Sequence, residues 1–252
     1  KDLPPFAREQ LKEKYTGGDI CIQACADDEQ VAFHAVRNLV RKARSTVTMK
    51  WSQSGFAAIG NRLETPRNLF GFKDGTANAT KEDQFDKIVW CDKDNWMKDG
   101  SYMAVRRIQM HLETWDRTNL NEQEHTFGRY KDSGAPLGEK DEFATVDLEK
   151  KGPDGKLYIP EDSHVHLAHK TGVELLRRSY SYADGINDTT GQLESGLLFI
   201  SFQKNPQQFI TVQNSLGNED KMNEYITHIG SGLFACFGGV KEGEYIGQKL
   251  FE

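Results

Sequence analysis

Four cysteines, Cys21, Cys25, Cys91 and Cys236, are all that this chain of 252 residues carries, and none belongs to a Cys-x-x-Cys pair. So few thiols in a chain of this size argue against a disulfide framework. Cys21 and Cys236 lie in apolar runs and read as small core residues. No apolar run approaches the roughly 20 residues of a membrane-spanning helix. An excess of positive charge is also missing: Lys and Arg total 32 against 38 Asp and Glu, a net charge of −6. Phosphate backbones select the opposite balance, so nucleic acid is excluded as the main partner. Basic clusters exist only locally, over residues 37–44, the solvated face of a helix, and at Arg177-Arg178. Internal repeats at solenoid spacing are absent. What remains, 37% hydrophobic and 28% charged residues, describes a globular chain with one large core or two smaller ones.

The most informative stretch runs from Asn68 to Asn78, Asn-Leu-Phe-Gly-Phe-Lys-Asp-Gly-Thr-Ala-Asn. Gly71 and Gly75 bracket Asp74, and glycine permits positive φ and close approach to the backbone. A carboxylate on such a bend can point into a cavity while nearby N–H groups meet a ligand. The same spacing also suits an ordinary Asp-Gly turn.

Along the chain, residues 1–14 suit an extended lead-in. Residues 19–24 alternate as a strand. Asp27-Asp28 caps a helix over residues 30–44, with Ala32, Val36, Leu39, Val40 and Ala43 on one face. Residues 45–51 return as a strand. After the Asp74 loop comes a polar connection over 81–100, and then a strand over 102–112. Arg106 is the one charge on its apolar face, where an inward guanidinium needs an anion; a structural salt bridge is the simplest answer. A short helix follows over 118–129, ended near Gly128. Residues 133–160 form a long Gly-, Pro- and charge-rich excursion of the kind that walls functional sites. A buried strand covers 196–202, residues 208–212 extend or pair with it, Asn218 caps a helix to His228, and the last strand covers 232–237.

His164, His166 and His169 form a His-x-His-x-x-His cluster. Imidazoles at this density suit a zinc site, and equally a polar loop. A zinc-dependent hydrolase using the three histidines with Asp74 is one functional reading.

Three segments carry a more specific signal: Gly71-Phe-Lys-Asp-Gly-Thr76, Asp162-Ser-His-Val-His-Leu-Ala-His169 and Leu176-Arg-Arg-Ser-Tyr-Ser-Tyr182. In content and order they resemble the dye-decolorising peroxidases, particularly the exported EfeB-like branch also called deferrochelatases, over nearly the whole chain. The resemblance implies an α+β fold of ferredoxin-like domains, of the dimeric α+β barrel type. Residues 1–80 would be the C-terminal part of a first domain plus the haem loop, and residues 81–252 a second, haem-binding domain. The first half of domain one would precede Lys1, as a missing N-terminal portion of the same protein. It also implies haem b as cofactor, hydrogen peroxide and an organic reductant such as a dye as substrates, and release of iron from haem as a related activity. A non-catalytic haem carrier is the remaining alternative. Among the residues, the resemblance makes His164 the proximal iron ligand. Asp74 becomes the proton shuttle and Arg177 the charge stabiliser on the other haem face. Gly75, Thr76, Ala77, His169 and Arg177 become haem contacts.

Three positions depart from the family pattern. His166 stands where arginine is expected, His169 where asparagine is expected, and Ala79 where proline is common; none touches the iron ligand. Glu194 is the candidate acceptor for the second N–H of the proximal imidazole. The tyrosines and tryptophans are mostly core residues, and none is given an electron-transfer role. Export, an iron-uptake system as partner and a homo-oligomer are expectations from the resemblance alone. No export signal stands in these residues.

Overall fold

The apolar alternation around Arg106 becomes the central strand of a five-stranded antiparallel sheet, β1 (Ser101–Met110). The computed structural model that defines it describes residues 2–57 and 64–252. On one side β1 pairs with β4 (Leu193–Gln203), on the other with β5 (Ile226–Cys236). The far edge of β4 carries two short strands in succession, β2 (Leu176–Arg177) and β3 (Tyr180–Ile186). The resulting order, β2/β3–β4–β1–β5 with every pair antiparallel, is that of a ferredoxin-like α+β sheet. Both faces of the sheet are covered, so β1 is buried on Arg106 and Arg107 alike. Gly196 of β4 lies where a Cβ would fall 1.9 Å from the carbonyl oxygen of Ile108. Only glycine lets the strands close there, and Tyr182 then donates its hydroxyl to that carbonyl at 3.1 Å.

Helices occupy the connections. α1 (Glu29–Ala43) starts where Asp28 accepts from the N–H of Gln30, and α2 covers Glu82–Ile88. α3 (Leu112–Trp115) and α4 (Leu120–Phe127) follow β1, and Asn119 and left-handed Gly128 cap the two ends of α4. α5 (His164–His169) precedes β2, and α6 (Pro206–Leu216) joins β4 to β5.

The expected helices over 30–44 and 118–129 and the strands over 102–112 and 196–202 are present within one to three residues. Several other expectations are corrected. Residues 19–24 and 45–51 form no strand; the segment containing them makes only isolated bridges, Thr16 to Ser231 and Phe56 to Ser181. Alternation gives strand character, but a ladder needs a neighbour, and no described residues supply one. Cys21 is exposed rather than core. The connection over 81–100 contains α2. Residues 208–212 lie in α6, because Asn205 and Gln208 cap each other's backbone N–H groups and Pro206 opens the helix. No helix begins at Asn218. Asp220 caps a short 3₁₀ turn over Lys221–Glu224, and β5 starts at Ile226, where pairing with β1 overrides the helical spacing.

Arg106 meets Glu9 at 2.6 Å and Ser231 at 2.9 Å, the structural ion pair that an inward guanidinium calls for. Arg107 was not singled out by the alternation. It is fully buried on the other face between the rings of Tyr15 and Tyr182, and bonds Gln53 and Asp184 at 2.7 Å each.

Candidate active site

One face of the sheet and the helices α5 and α6 enclose a cavity of about 500 Å³. Its sheet wall is Ile108 and Met110 of β1, Leu197 and Phe199 of β4, and Ile226 and His228 of β5. Alternation puts these side chains on one face, and Met103, Val105 and Ile200 on the other. The cavity is thus largely apolar, with its polar groups concentrated on the loops and on α5.

The first polar group comes from the glycine-bracketed bend. Phe70 and Phe72 are buried against Trp115 and Phe127, and Phe72 stacks on Phe127 at 3.9 Å. The Asn68 side chain accepts the N–H groups of Phe70 and Phe72, while Arg67 donates to the carbonyls of Gly71, Lys131 and Asp132. Asp74 donates its own N–H to Pro66 at 2.8 Å, and Gly75 follows at φ 123°, a conformation side chains resist. Asn78 then pairs with both backbone groups of Arg177, at 2.8 and 3.0 Å, which fixes the bend against β2. As a result Asp74 Oδ1 lies 3.2 Å from Arg177 Nη1. Both side chains line the cavity and stay 26% and 30% exposed, open enough for a small solute to reach.

Lys73 and Thr76, on either side of this aspartate, share one partner. Lys73 forms an ion pair with Glu142, and Thr76 donates to the other oxygen of that carboxylate at 2.9 Å. Burial pushes the Glu142 carboxyl up, but hydrogen bonds from Lys73, Thr65 and Thr76 outweigh it, and its pKa lies below the ordinary glutamate range.

The second group comes from α5. Ser163 caps the helix, and His164 at its first position donates from Nδ1 to Asp220 Oδ2, 2.7 Å away. Burial opposes the imidazolium; the charge and hydrogen bond of Asp220 more than offset it, and the pKa of His164 is raised. Among the described residues its Nε2 has no partner. The acceptor role expected of Glu194 belongs to Asp220. Glu194 stands at 3.7 Å from Arg107 and does not line the cavity.

Arg129 and Arg177 give the cavity a cationic rim, and His169 stands beside them. Burial, then Arg129 and Arg177, lower the pKa of His169. Arg129 is buried and donates to the carbonyls of Gly134 and Glu142. His228 is depressed to about 3, by burial first and then by Arg106 and His164.

Asp74, Gly75, Thr76, Ala77, His164, His169 and Arg177, the residues singled out in the sequence, all line the cavity. His166 does not; its Nδ1 is buried without a partner among the described residues. The three histidines therefore do not converge, and no group of three His, Cys, Asp or Glu among the described residues is placed to hold a metal. Asp220, Arg129, Asn78 and Glu142 were not found from the sequence. Asp220 lies 56 residues from its histidine, and nothing beside it in the sequence marks that partner.

A family model described as "Dyp-type peroxidase, C-terminal" matches residues 65–241, and one described as "Dyp-type peroxidase, N-terminal" matches residues 1–57. A protein named Deferrochelatase from Shigella flexneri serotype 5b is 39% identical over 98% of this chain and 62% of its own length. A Dye-decolorizing peroxidase from Thermobifida fusca is 41% identical over 100% of this chain and 61% of its own length. The chain thus spans about three fifths of the curated relatives it matches. Among solved structures, the oxyferrous complex of DtpA from Streptomyces lividans superposes with a TM-score of 0.92 at 37% identity, over 100% of this chain and 71% of that one.

Proposed function

The chain belongs to the Dyp-type peroxidase family, and from that premise we propose that its cavity holds haem b and reduces hydrogen peroxide while an organic molecule such as a dye is oxidised. The observation that carries this reading is the pairing of two polar devices on one apolar cavity: His164 with Asp220, and Asp74 with Arg177.

The residues fit the group. Among the described residues Nε2 of His164 is free while Nδ1 is committed to a carboxylate, the arrangement that fixes an imidazole ligand and raises its basicity. The floor of Ile108, Leu197 and Phe199 suits a porphyrin face, and Arg129, His169 and Arg177 supply partners for propionates. Gly75, Thr76 and Ala77 bring backbone within reach of the ring. When bound, haem supplies the iron-centred redox chemistry.

The protein's share is proton handling and charge. Asp74 is placed to take a proton from a peroxide molecule entering the cavity and to return it to the oxygen that leaves as water. The guanidinium of Arg177 orients that carboxylate at 3.2 Å and stabilises negative charge that develops beside it. The apolar sheet wall keeps bulk water from competing.

The Deferrochelatase relatives support a second use of the same cavity, release of iron from haem. Porphyrin freed of iron after incubation with haem would be its product. For surroundings, we propose export from the cytoplasm, an iron-uptake system as partner and self-association. No helix among the described residues is long and apolar enough to cross a membrane. We also propose a division near residue 80 into two ferredoxin-like units, with the exposed apolar side chains of α1 covered by further polypeptide.

One absorption spectrum followed by one assay tests the proposal. Protein loaded with haem should show a Soret band and turn over a dye with peroxide. A Soret band without turnover would leave a carrier, and no haem uptake would overturn the reading.

A further inference from the structure

Resting on the peroxidase reading, we infer that Glu142, in the long excursion between α4 and α5, is a positioning residue that holds Asp74 toward Arg177. The two residues it grips, Lys73 and Thr76, lie one before and two after Asp74, and each takes a different oxygen of the one carboxylate. A segment held at both flanks by a single buried acid has little freedom at its middle. The Glu142 side chain is 11% exposed and that of Lys73 18%, so water competes weakly for either. The excursion is itself tied down, because Arg129 donates to the carbonyl of Glu142 at 3.1 Å and to that of Gly134 at 2.8 Å. Gly134 is also packed against Lys73: a Cβ there would sit 2.7 Å from Cδ of that lysine. Arg67 holds the bend further back, at Gly71, and the backbone of Asp74 is tied to Pro66; Glu142 supplies the side-chain anchors on the two residues that flank the carboxylate. Glu142 does not itself line the large cavity; it lines a smaller one of about 270 Å³ that shares Thr76, Ala77, Arg129 and His169 with it. It therefore acts through Asp74 and touches no reacting atom.

Two substitutions divide the grip. Glu142→Gln keeps an oxygen for Thr76 and loses the ion pair, whereas Thr76→Val loses the hydrogen bond and keeps the ion pair. In the haem-loaded protein, hydrogen exchange of the peptide covering residues 68–78 should quicken in both, by about 10-fold or more, while β1 and β4 keep their protection. The rate of reaction with peroxide should fall by up to about 10²-fold, the cost of a small misplacement of a reacting group. The apparent KM for the dye should stay unchanged. In an Asp74→Asn background Glu142→Gln should add no further loss, since the positioned group is gone. A full additional loss in that background would mean a general structural role and would overturn the inference. So would unchanged exchange over 68–78, whatever the activity. Wild-type protein with no peroxide reaction but with the exchange effect intact would overturn the peroxidase reading, and with it the catalytic meaning of the grip, while leaving the grip itself in place.

Discussion

Asp220 meets Nδ1 of His164 at 2.7 Å from 56 residues away in the chain, and this contact turns a helix-opening histidine into an oriented base. The carboxylate is almost fully buried, with a side-chain exposure of 2%, so it has few other partners to choose from. A histidine held in this way presents one defined nitrogen to whatever occupies the cavity.

His164→Ala should therefore lose most of the bound haem, read as loss or displacement of the Soret band. Asp220→Asn should keep haem but weaken it by about 10–100-fold, the usual cost of removing the partner of a ligating histidine. His166→Ala and His169→Ala should still bind. Loss of haem in His166→Ala alone would move the ligand assignment off His164.

The roles proposed for Asp74 and Arg177 divide the labour. Losing a positioned acid/base group costs about 10²–10⁴-fold, and losing one preorganised charge about 10²–10³-fold, so rates alone do not rank Asp74 and Arg177. The pH profile of the peroxide reaction does. Asp74→Asn should flatten it on the acid side, because the group that accepts the proton is gone. Arg177→Leu should lower the rate with the profile kept, because guanidinium does not titrate there. Stopped-flow mixing across pH checks both, and an unflattened profile in Asp74→Asn would remove the shuttle role.

Local signals in the sequence reached as far as local physics does. Asp28 and Gly128 gave the start of α1 and the end of α4 because capping is decided within a few residues. The strand around Arg106 was legible because its apolar residues alternate with the pleat. The site motifs were legible because a glycine-bracketed aspartate and a dense histidine cluster need no topology to be noticed. Asp220 and Glu142 were not, since each acts on a residue dozens of positions away, and nothing near them marks the partner. Asn205, Pro206 and Gln208 spell the start of α6, but the β-branched run Ile210-Thr211-Val212 after them carries a strand signal of its own. Residues 19–24 show the opposite failure: strand character is local, but a strand is a relation between two segments.

The exposed apolar side chains of α1 yield a prediction of their own. Val31, Phe33 and Leu39 are 59%, 59% and 51% exposed, Ile20 nearby in sequence is 70% exposed, and no residue of the helix is buried. Apolar area at this density favours cover. This chain alone should bind a hydrophobic dye such as ANS and be cut early by protease within residues 19–25. Phe33→Ser with Leu39→Ser should reduce the dye signal by at least about half, in keeping with burial energies that scale with apolar area. Absence of dye binding would sink the idea of a missing cover, and a stable dimer in sedimentation would identify a second copy as the cover instead.

His228 supplies a pH test of the cavity wall. Its folded pKa is depressed to about 3, because burial and the nearby cations Arg106 and His164 disfavour the imidazolium. An unfolded histidine titrates near 6.5. Between these values the unfolded chain binds a proton that the folded chain refuses, so folding stability rises with pH through that window. The contribution is fully present above about pH 6.5 and is lost progressively as pH falls toward 3. Each unit is worth ~1.4 kcal/mol, and allowing for water at the cavity surface the loss by pH 4.5 should be on the order of 2 kcal/mol. In a chain of this size that is a fall in Tm of about 4–8 °C. His228→Gln, uncharged throughout, should lack that part of the acid sensitivity while keeping the part due to carboxylates. Thermal melts at pH 7 and pH 4.5, on the two proteins matched in cofactor content, give the difference directly. Equal losses in both would mean that His228 takes its proton in the folded state, and that the wall behind His164 is wetter than its packing implies.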